Sequence, residues 1–391
     1  MPKMQDLVKR LLASAAVAVV AVAAPAAVLA QPAEGAPARD FNVSKRTAED
    51  KALPNPFLRN EAWYQMPKGR LLGAVSGIDI DKDGKSIWIT ERCAGRNMCL
   101  DSHLPPILHI SPEGKVLTTF GADLISYPHG LHVDKDNNIW VTDLQSNVDP
   151  AARRGNPIEP MKDKVPPAGA TVLKFSPQGK LLMTLGTPGV YGNDATHFSQ
   201  PSDVITNANG EIFVVDSHDS RPSNNRIVKF DKTGKFIKEW TVCRPEDASQ
   251  IDCGHALAFD SKGRLFVGNR ANSSVDIYDQ DGNLLDRWKQ FGKPSGFFID
   301  KSDTLYVSDS QSGIGEQNAF VKGVHIGSAV TGKVTAYIPD PLGNTSPWSG
   351  PGTLSPEGVA VAADGTIYTS QVRPAGLNKY TPNTNTRFDA R

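Results

Sequence analysis

The stretch PHGLHVDKDNNIWVTDL, Pro128 to Leu144, holds a short apolar run, an Asp-led turn and a second apolar run ending on a polar residue. Paired β-prone runs around an Asn/Asp/Gly turn read as a β-hairpin. Five further stretches lie over it in register. VSGIDIDKDGKSIWITER (Val75 to Arg92) precedes it. PSDVITNANGEIFVVDS (Pro201 to Ser217), GHALAFDSKGRLFVGNR (Gly254 to Arg270), PSGFFIDKSDTLYVSDS (Pro294 to Ser310) and PEGVAVAADGTIYTSQV (Pro356 to Val372) follow. Six hairpins repeated along one chain predict radial repetition, and hence a six-bladed β-propeller.

After each of the first four hairpins comes a second pair of runs split by a turn. These are ILHISPEGKVLTTFG (Ile107 to Gly121), VLKFSPQGKLLMTLG (Val172 to Gly186), RIVKFDKTGKFIKEW (Arg226 to Trp240) and SVDIYDQDGNLLDRW (Ser274 to Trp288). Each unit is therefore a four-stranded antiparallel blade, and the fold class is all-β. The sixth unit stops after LNKYTP (Leu377 to Pro382), one strand short. WYQMPKGRLLGAVSG (Trp63 to Gly77) reads like the strand ahead of the other hairpins. The N-terminal segment is expected to supply the missing outer strand of the last blade, closing the ring and removing two free sheet edges. The propeller is placed over residues 57–391.

The start of the chain reads differently. Lys3, Lys9 and Arg10 precede an Ala/Val/Leu run from Leu11 to Leu29, and Val28-Leu-Ala30 supplies the small residues of a cleavage site. This is the pattern of a signal peptide over residues 1–30, with cleavage near Ala30. A membrane anchor is the rival, but the run is Ala-rich and ends in that cleavage pattern. The expected address is the periplasm or the outside of the cell. Residues 31–56 follow as a flexible arm, since Gln31 to Lys51 is rich in Ala, Pro and charge with no apolar period. The whole chain has 42 basic and 42 acidic residues. Losing the first thirty leaves 39 against 41, a net charge near −2 with no basic field for nucleic acid or anionic membrane.

The four cysteines fall into two local pairs, Cys93 with Cys99 and Cys243 with Cys253. In an exported chain such pairs read as disulfides pinning loops. A four-cysteine zinc site is the alternative, and neither spacing is the short one such sites use. Three long interruptions, Gln145 to Ala170, Gln311 to Gly332 and Asp340 to Leu354, break the repeat, and long connections inside a compact repeat are usually functional or disordered. In a four-strand meander the cysteine loops and at least the first two interruptions open on one face. That mouth is the candidate site.

Aligning the hairpins puts one residue of each at the start of the innermost strand: Ser76, His129, Ser202, His255, Ser295 and Glu357. Alternate blades lie about 120° apart in a six-blade ring, so His129, His255 and Glu357 would converge on the axis. Two histidines and a carboxylate form a metal-ligand set with a position left open, best suited to Zn²⁺, with manganese or iron as alternatives. The plainer reading is that these histidines fill a polar channel or bond to backbone. At the ends of the second strands, Asp143 and Asp309 read as loop anchors. Arg92 and Arg270, on the same face, read either as clamps for a substrate carboxylate or as members of ion pairs. His218, two residues after Asp216, is placed to move a proton near neutral pH. His103, His109, His132, His197 and His325 carry no register argument and read as structural. The chain contains no G-x-S-x-G elbow, P-loop or H-E-x-x-H motif, which leaves metal-centred chemistry as the expectation.

YGNDATHFSQPSDVITNANGEIFVVDS (Tyr191 to Ser217), continued by SNNRIVKFDKTGKFIKEW (Ser223 to Trp240), resembles the peptidyl-α-hydroxyglycine α-amidating lyase family of NHL-repeat propellers. PHGLHVDKDNNIWVTD and GHALAFDSKGRLFVGNRANSSVDIY (Gly254 to Tyr278) are similar too, and the likeness covers most of residues 63–382. The resemblance implies zinc on three inner-strand histidines, a nearby tyrosine and arginine, and a structural calcium on the axis. It also implies cleavage of the C–N bond of a carbinolamide to an amide and glyoxylate. Residue by residue, His129 and His255 match two zinc positions and Arg92 matches the arginine. Glu357 stands where the third histidine is implied, and Gly358 where an aspartate would bind calcium, leaving the Leu131 carbonyl as a remnant of that site. His218 falls at the tyrosine's place. The expectation is an exported metal-dependent C–N lyase acting on a small or peptide-like substrate with a carboxylate, as a monomer. A zinc-dependent hydrolase of the lactonase kind and a non-catalytic NHL-repeat scaffold stand as alternatives.

Overall fold

The structure is a computed structural model and describes residues 49–50, 52–60, 63–93, 98–99, 102–148, 166–218, 223–312, 321–341 and 354–383. The expected signal peptide, most of the arm and large parts of the three interruptions lie outside the described residues. The first strand is β1 (Phe57–Asn60). Blade one is β2 (Val75–Ile80), β3 (Ile87–Glu91), β4 (Ile107–Ile110) and β5 (Val116–Phe120). Blade two is β6 (Pro128–Val133), β7 (Ile139–Asp143), β8 (Thr171–Phe175) and β9 (Leu181–Leu185). Blade three is β10 (Pro201–Thr206), β11 (Ile212–Asp216), β12 (Arg226–Phe230) and β13 (Phe236–Thr241). Blade four is β14 (Leu257–Phe259), β15 (Leu265–Asn269), β16 (Ser274–Tyr278) and β17 (Leu284–Trp288). Blade five is β18 (Gly296–Ile299), β19 (Thr304–Asp309), β20 (Gly323–Ser328) and β21 (Val334–Pro339). Blade six is β22 (Pro356–Val361), β23 (Ile367–Gln371) and β24 (Gly376–Pro382), with β1 as its outer strand. The six-bladed propeller of four-stranded antiparallel sheets is as the sequence predicts.

The aspartate that opens four of the six hairpin turns, Asp81, Asp134, Asp260 and Asp300, explains why the motif repeats. Asp81 accepts the N–H of Asp83 at 3.0 Å and the indole N–H of Trp88 at 2.7 Å, binding the turn to the strand after it. Asp134 does the same with Asp136 and Trp140. Gly84 closes the first turn at φ 71°, a conformation that a side chain would strain. Between the blades lie six apolar clusters, one per boundary. Trp88 and Leu131 meet between blades one and two, and Phe213 and Leu257 between three and four. Each fully buried large side chain there contributes roughly 1.5–3 kcal/mol.

The ring closes by the N-terminal strand, as strand counting predicts, but the residues differ from those expected. Phe57–Asn60 pairs with β24, Leu58 opposite Thr381, whereas Trp63 packs on Tyr368 and Gln65 bridges Lys115. The segment expected as a flexible arm to residue 56 is tied down at its end. Asp50 is fully buried, Pro54 accepts the N–H of Tyr337, and Pro56 accepts that of Asn383. Both expected disulfides are present, Cys93–Cys99 and Cys243–Cys253. Among the described residues no helix is long and apolar enough to cross a membrane.

Candidate metal centre

His129 lies in β6, and His255 stands two residues ahead of β14. Each ring is fixed by a carbonyl of the next blade. Nδ1 of His129 donates to Ser202 O at 2.7 Å, and Nδ1 of His255 donates to Ser295 O at 2.8 Å. A carbonyl only accepts, so Nδ1 carries the proton and Nε2 keeps its lone pair. Both rings are buried, 4% and 2% exposed. Burial holds both well below the usual imidazole range, His129 with added repulsion from His218 and Arg92, and His255 with added repulsion from Arg270. Neutral imidazoles with free Nε2 lone pairs are the form that binds a metal.

The third imidazole is His218. It comes from the loop after β11 rather than from the inner-strand register. Its ring centroid is 4.9 Å from that of His129 and 5.3 Å from that of His255, while those two lie 5.0 Å apart. One nitrogen of each histidine lies within 4.8 Å of the other two. His255 Nε2 is buried with no hydrogen-bond partner among the described residues. Such an orphan is costly unless something binds it. The three rings thus fit a divalent cation.

Glu357, expected as the third ligand, stands beside this trio. Its Oε1 is 3.5 Å from His255 Nε2 and accepts from Arg270 Nη1 at 3.2 Å, while Oε2 accepts from Ser310 Oγ at 2.7 Å. Arg270 is buried and also donates from Nε to Asp252 at 2.7 Å. Arg92 is buried too, its guanidinium 4.1 Å above the Tyr127 ring with Nε 3.5 Å from Pro128 O. Both arginines line a mouth cavity of about 260 Å³, together with Tyr127, His129, His218 and Glu357. A second cavity of about 270 Å³ runs down the axis behind the site, bounded by His129, His255 and Glu357 and by the glycines of the inner strands.

Asp143 and Asp309 are loop anchors as expected. Asp143 accepts the N–H groups of Ser126 and Tyr127, and Asp309 those of Lys293 and Ser312. Sequence reasoning passed over Ser310, Asp252 and Tyr127, because each acts through a partner far along the chain. It also passed over Asp203, one layer below the histidines, although its register position is visible. Gly77, Gly130, Ala256, Gly296 and Gly358 share that layer, and Asp203 is its one carboxylate.

No protein-family model matches the chain. It is 26% identical over 321 residues to a probable peptidyl-alpha-hydroxyglycine alpha-amidating lyase of Caenorhabditis elegans, covering 78% of this chain and 82% of that one. It is 24% identical over 257 residues to NHL repeat-containing protein 3 of Mus musculus, covering 63% and 62%. It is 29% identical over 232 residues to the Mus musculus peptidyl-glycine alpha-amidating monooxygenase, 54% of this chain but only 21% of that protein. The chain is a relative of these lyases and of the NHL-repeat proteins. A gluconolactonase from Xanthomonas campestris shares the fold, with a TM-score of 0.50 at 14% identity over 84% of this chain and 95% of that one.

The resemblance implies metal positions at His129 and His255 and an arginine at Arg92, and the structure shows what stands at the three other implied places. Glu357 is engaged by Arg270 and Ser310, and His218 joins the imidazoles. At Gly358 a Cβ would lie 2.7 Å from Ser370 Oγ and 2.9 Å from Ser76 O, so the layer is packed around a residue with no side chain. Leu131 lines the axial cavity directly below.

Proposed function

We propose that this chain is an exported metal-dependent lyase that cleaves the C–N bond of an N-acyl-α-hydroxy amino acid or a similar carbinolamide. The observation that carries this reading is the cluster of three imidazoles, one with an orphaned buried nitrogen, two of which line a cavity that also presents two arginines. His129, His218 and His255 would hold the cation, zinc for preference. When bound, it supplies a Lewis acid that polarises a substrate oxygen. Arg92, stacked on Tyr127, holds the substrate carboxylate, with Arg270 on the far side of the mouth. The reaction takes one proton from the substrate hydroxyl and returns one to the departing amide nitrogen. Two disulfides agree with export.

A non-catalytic scaffold is the second reading, favoured by the likeness to an NHL repeat-containing protein. Elemental analysis of the purified chain beside a His129→Ala/His255→Ala variant separates them. About one zinc per chain, lost in the variant, is expected, followed by turnover of carbinolamides ahead of lactones and esters. No transition metal in either, even after zinc is supplied, leaves the scaffold reading.

A further inference from the structure

Where the mouth cavity meets the axial cavity, one carboxylate oxygen faces a lone pair. His255 spends its ring proton on Ser295 O, so its Nε2 presents an electron pair, and Glu357 Oε1 lies 3.5 Å from it. Both groups are buried, His255 at 2% and Glu357 at 9% exposure. No hydrogen bond to His255 Nε2 relieves the contact among the described residues. Two electron-rich atoms facing each other in a dry site repel, and the arrangement is stable when a positive charge sits between them. A separation of this size lies within the reach of two donors sharing one cation, for bond lengths of about 2.0–2.1 Å.

Resting on the metal reading above, we infer that Glu357 is a fourth donor beside the three histidines, with a fifth position left to the substrate oxygen. Arg270 and Ser310 are the positioning residues that hold the same carboxylate in competition with the cation. Arg270 Nη1 and Ser310 Oγ each take one oxygen of Glu357, so the carboxylate is presented at the site but does not belong to it alone. The mixed nitrogen and oxygen set suits zinc, manganese(II) or iron(II) rather than a thiophilic ion. A cation held here would compete with Arg270 Nη1 for Glu357 Oε1, and Arg270, which lines the mouth cavity, would then be able to take a substrate carboxylate.

The test loads the full chain, stripped with a chelator, with Co²⁺ and reads its visible spectrum and its affinity by chelator competition. Glu357→Gln is expected to weaken Co²⁺ binding at least tenfold and to change the spectrum. Ser310→Ala, which releases one hold on the carboxylate, is expected to tighten binding several-fold. Thermal melts of both variants report whether they fold. An unchanged affinity and spectrum in Glu357→Gln overturns the fourth-donor assignment, and weakened binding in Ser310→Ala overturns the competition. Uptake that is abolished by His129→Ala but unaffected by Glu357→Gln sinks this inference alone. No uptake by the wild-type chain sinks the metal reading with it.

Discussion

His129 and Ser202 sit in neighbouring blades, and the ring N–H of the first meets the carbonyl of the second at 2.7 Å. The contact fixes the tautomer, and burial keeps the ring neutral far into the acid range. Metal binding requires the neutral ring, so it should persist below the usual imidazole value of 6.5 and be lost only as pH falls further. Zinc retained after dialysis across a series from pH 8 to pH 4 checks this. Release already half complete near pH 7 contradicts it.

His218 separates two roles. As a metal donor, its replacement by alanine should cost at least about 100-fold in zinc affinity, in line with losing one ligand or its support. As a proton carrier only, His218→Ala would keep its zinc and lose turnover. Competition with a chromophoric chelator distinguishes these outcomes without a substrate.

The blades, their strand content and the two disulfides were legible because each is local. A turn aspartate, an alternating run and a short cysteine spacing all act within a few residues. His129, His255 and Glu357 were legible through register, which fixes where a strand residue points. His218 could be named, but its place among the clustered imidazoles could not, since a loop side chain is aimed by tertiary packing. Glu357 was read as a ligand alone because its tie to Arg270 crosses 87 positions of sequence. The outer strand was misplaced for a related reason. Of FLRN only Phe57 is even partly buried, so β1 has no periodicity to read and is defined by the strand it joins.

Asp203 predicts a pH effect of definite sign. Burial pushes its carboxyl up to about 7 from the usual 3.8, even though the N–H groups of Leu257 and Val204 favour the charged form. Between those values the native chain holds a proton that the unfolded chain has lost, so this group's contribution to stability falls as pH rises from about 4 to 7. Asp203→Asn has no such loss. Urea unfolding at pH 5 and pH 8 should show the difference between variant and wild type moving in the variant's favour by on the order of 2–4 kcal/mol. An equal difference at both pH values means that Asp203 is ionised throughout.

Asp50 and His325 predict how the segment before β1 is held. Their side chains are fully buried with Oδ2 and Nε2 3.3 Å apart, and His325 stacks on Tyr337. Asp50→Ala removes one side of a buried polar contact, at a cost of about 1–3 kcal/mol. The expected readout is a fall of a few degrees in Tm with metal content unchanged. A Tm equal to wild type would show that the segment is held by its backbone contacts to Tyr337 and Asn383 alone.

The pairing of Leu58 with Thr381 has a kinetic meaning. Strands that meet across nearly the whole described chain are the slowest to find each other, because the entropy of closing so long a loop comes before any reward. Until the final strand emerges, the first one has no partner and two sheet edges stay open to other chains. Closure therefore acts as a completeness check: a chain cut short before β24 leaves β1 without the strand it pairs with.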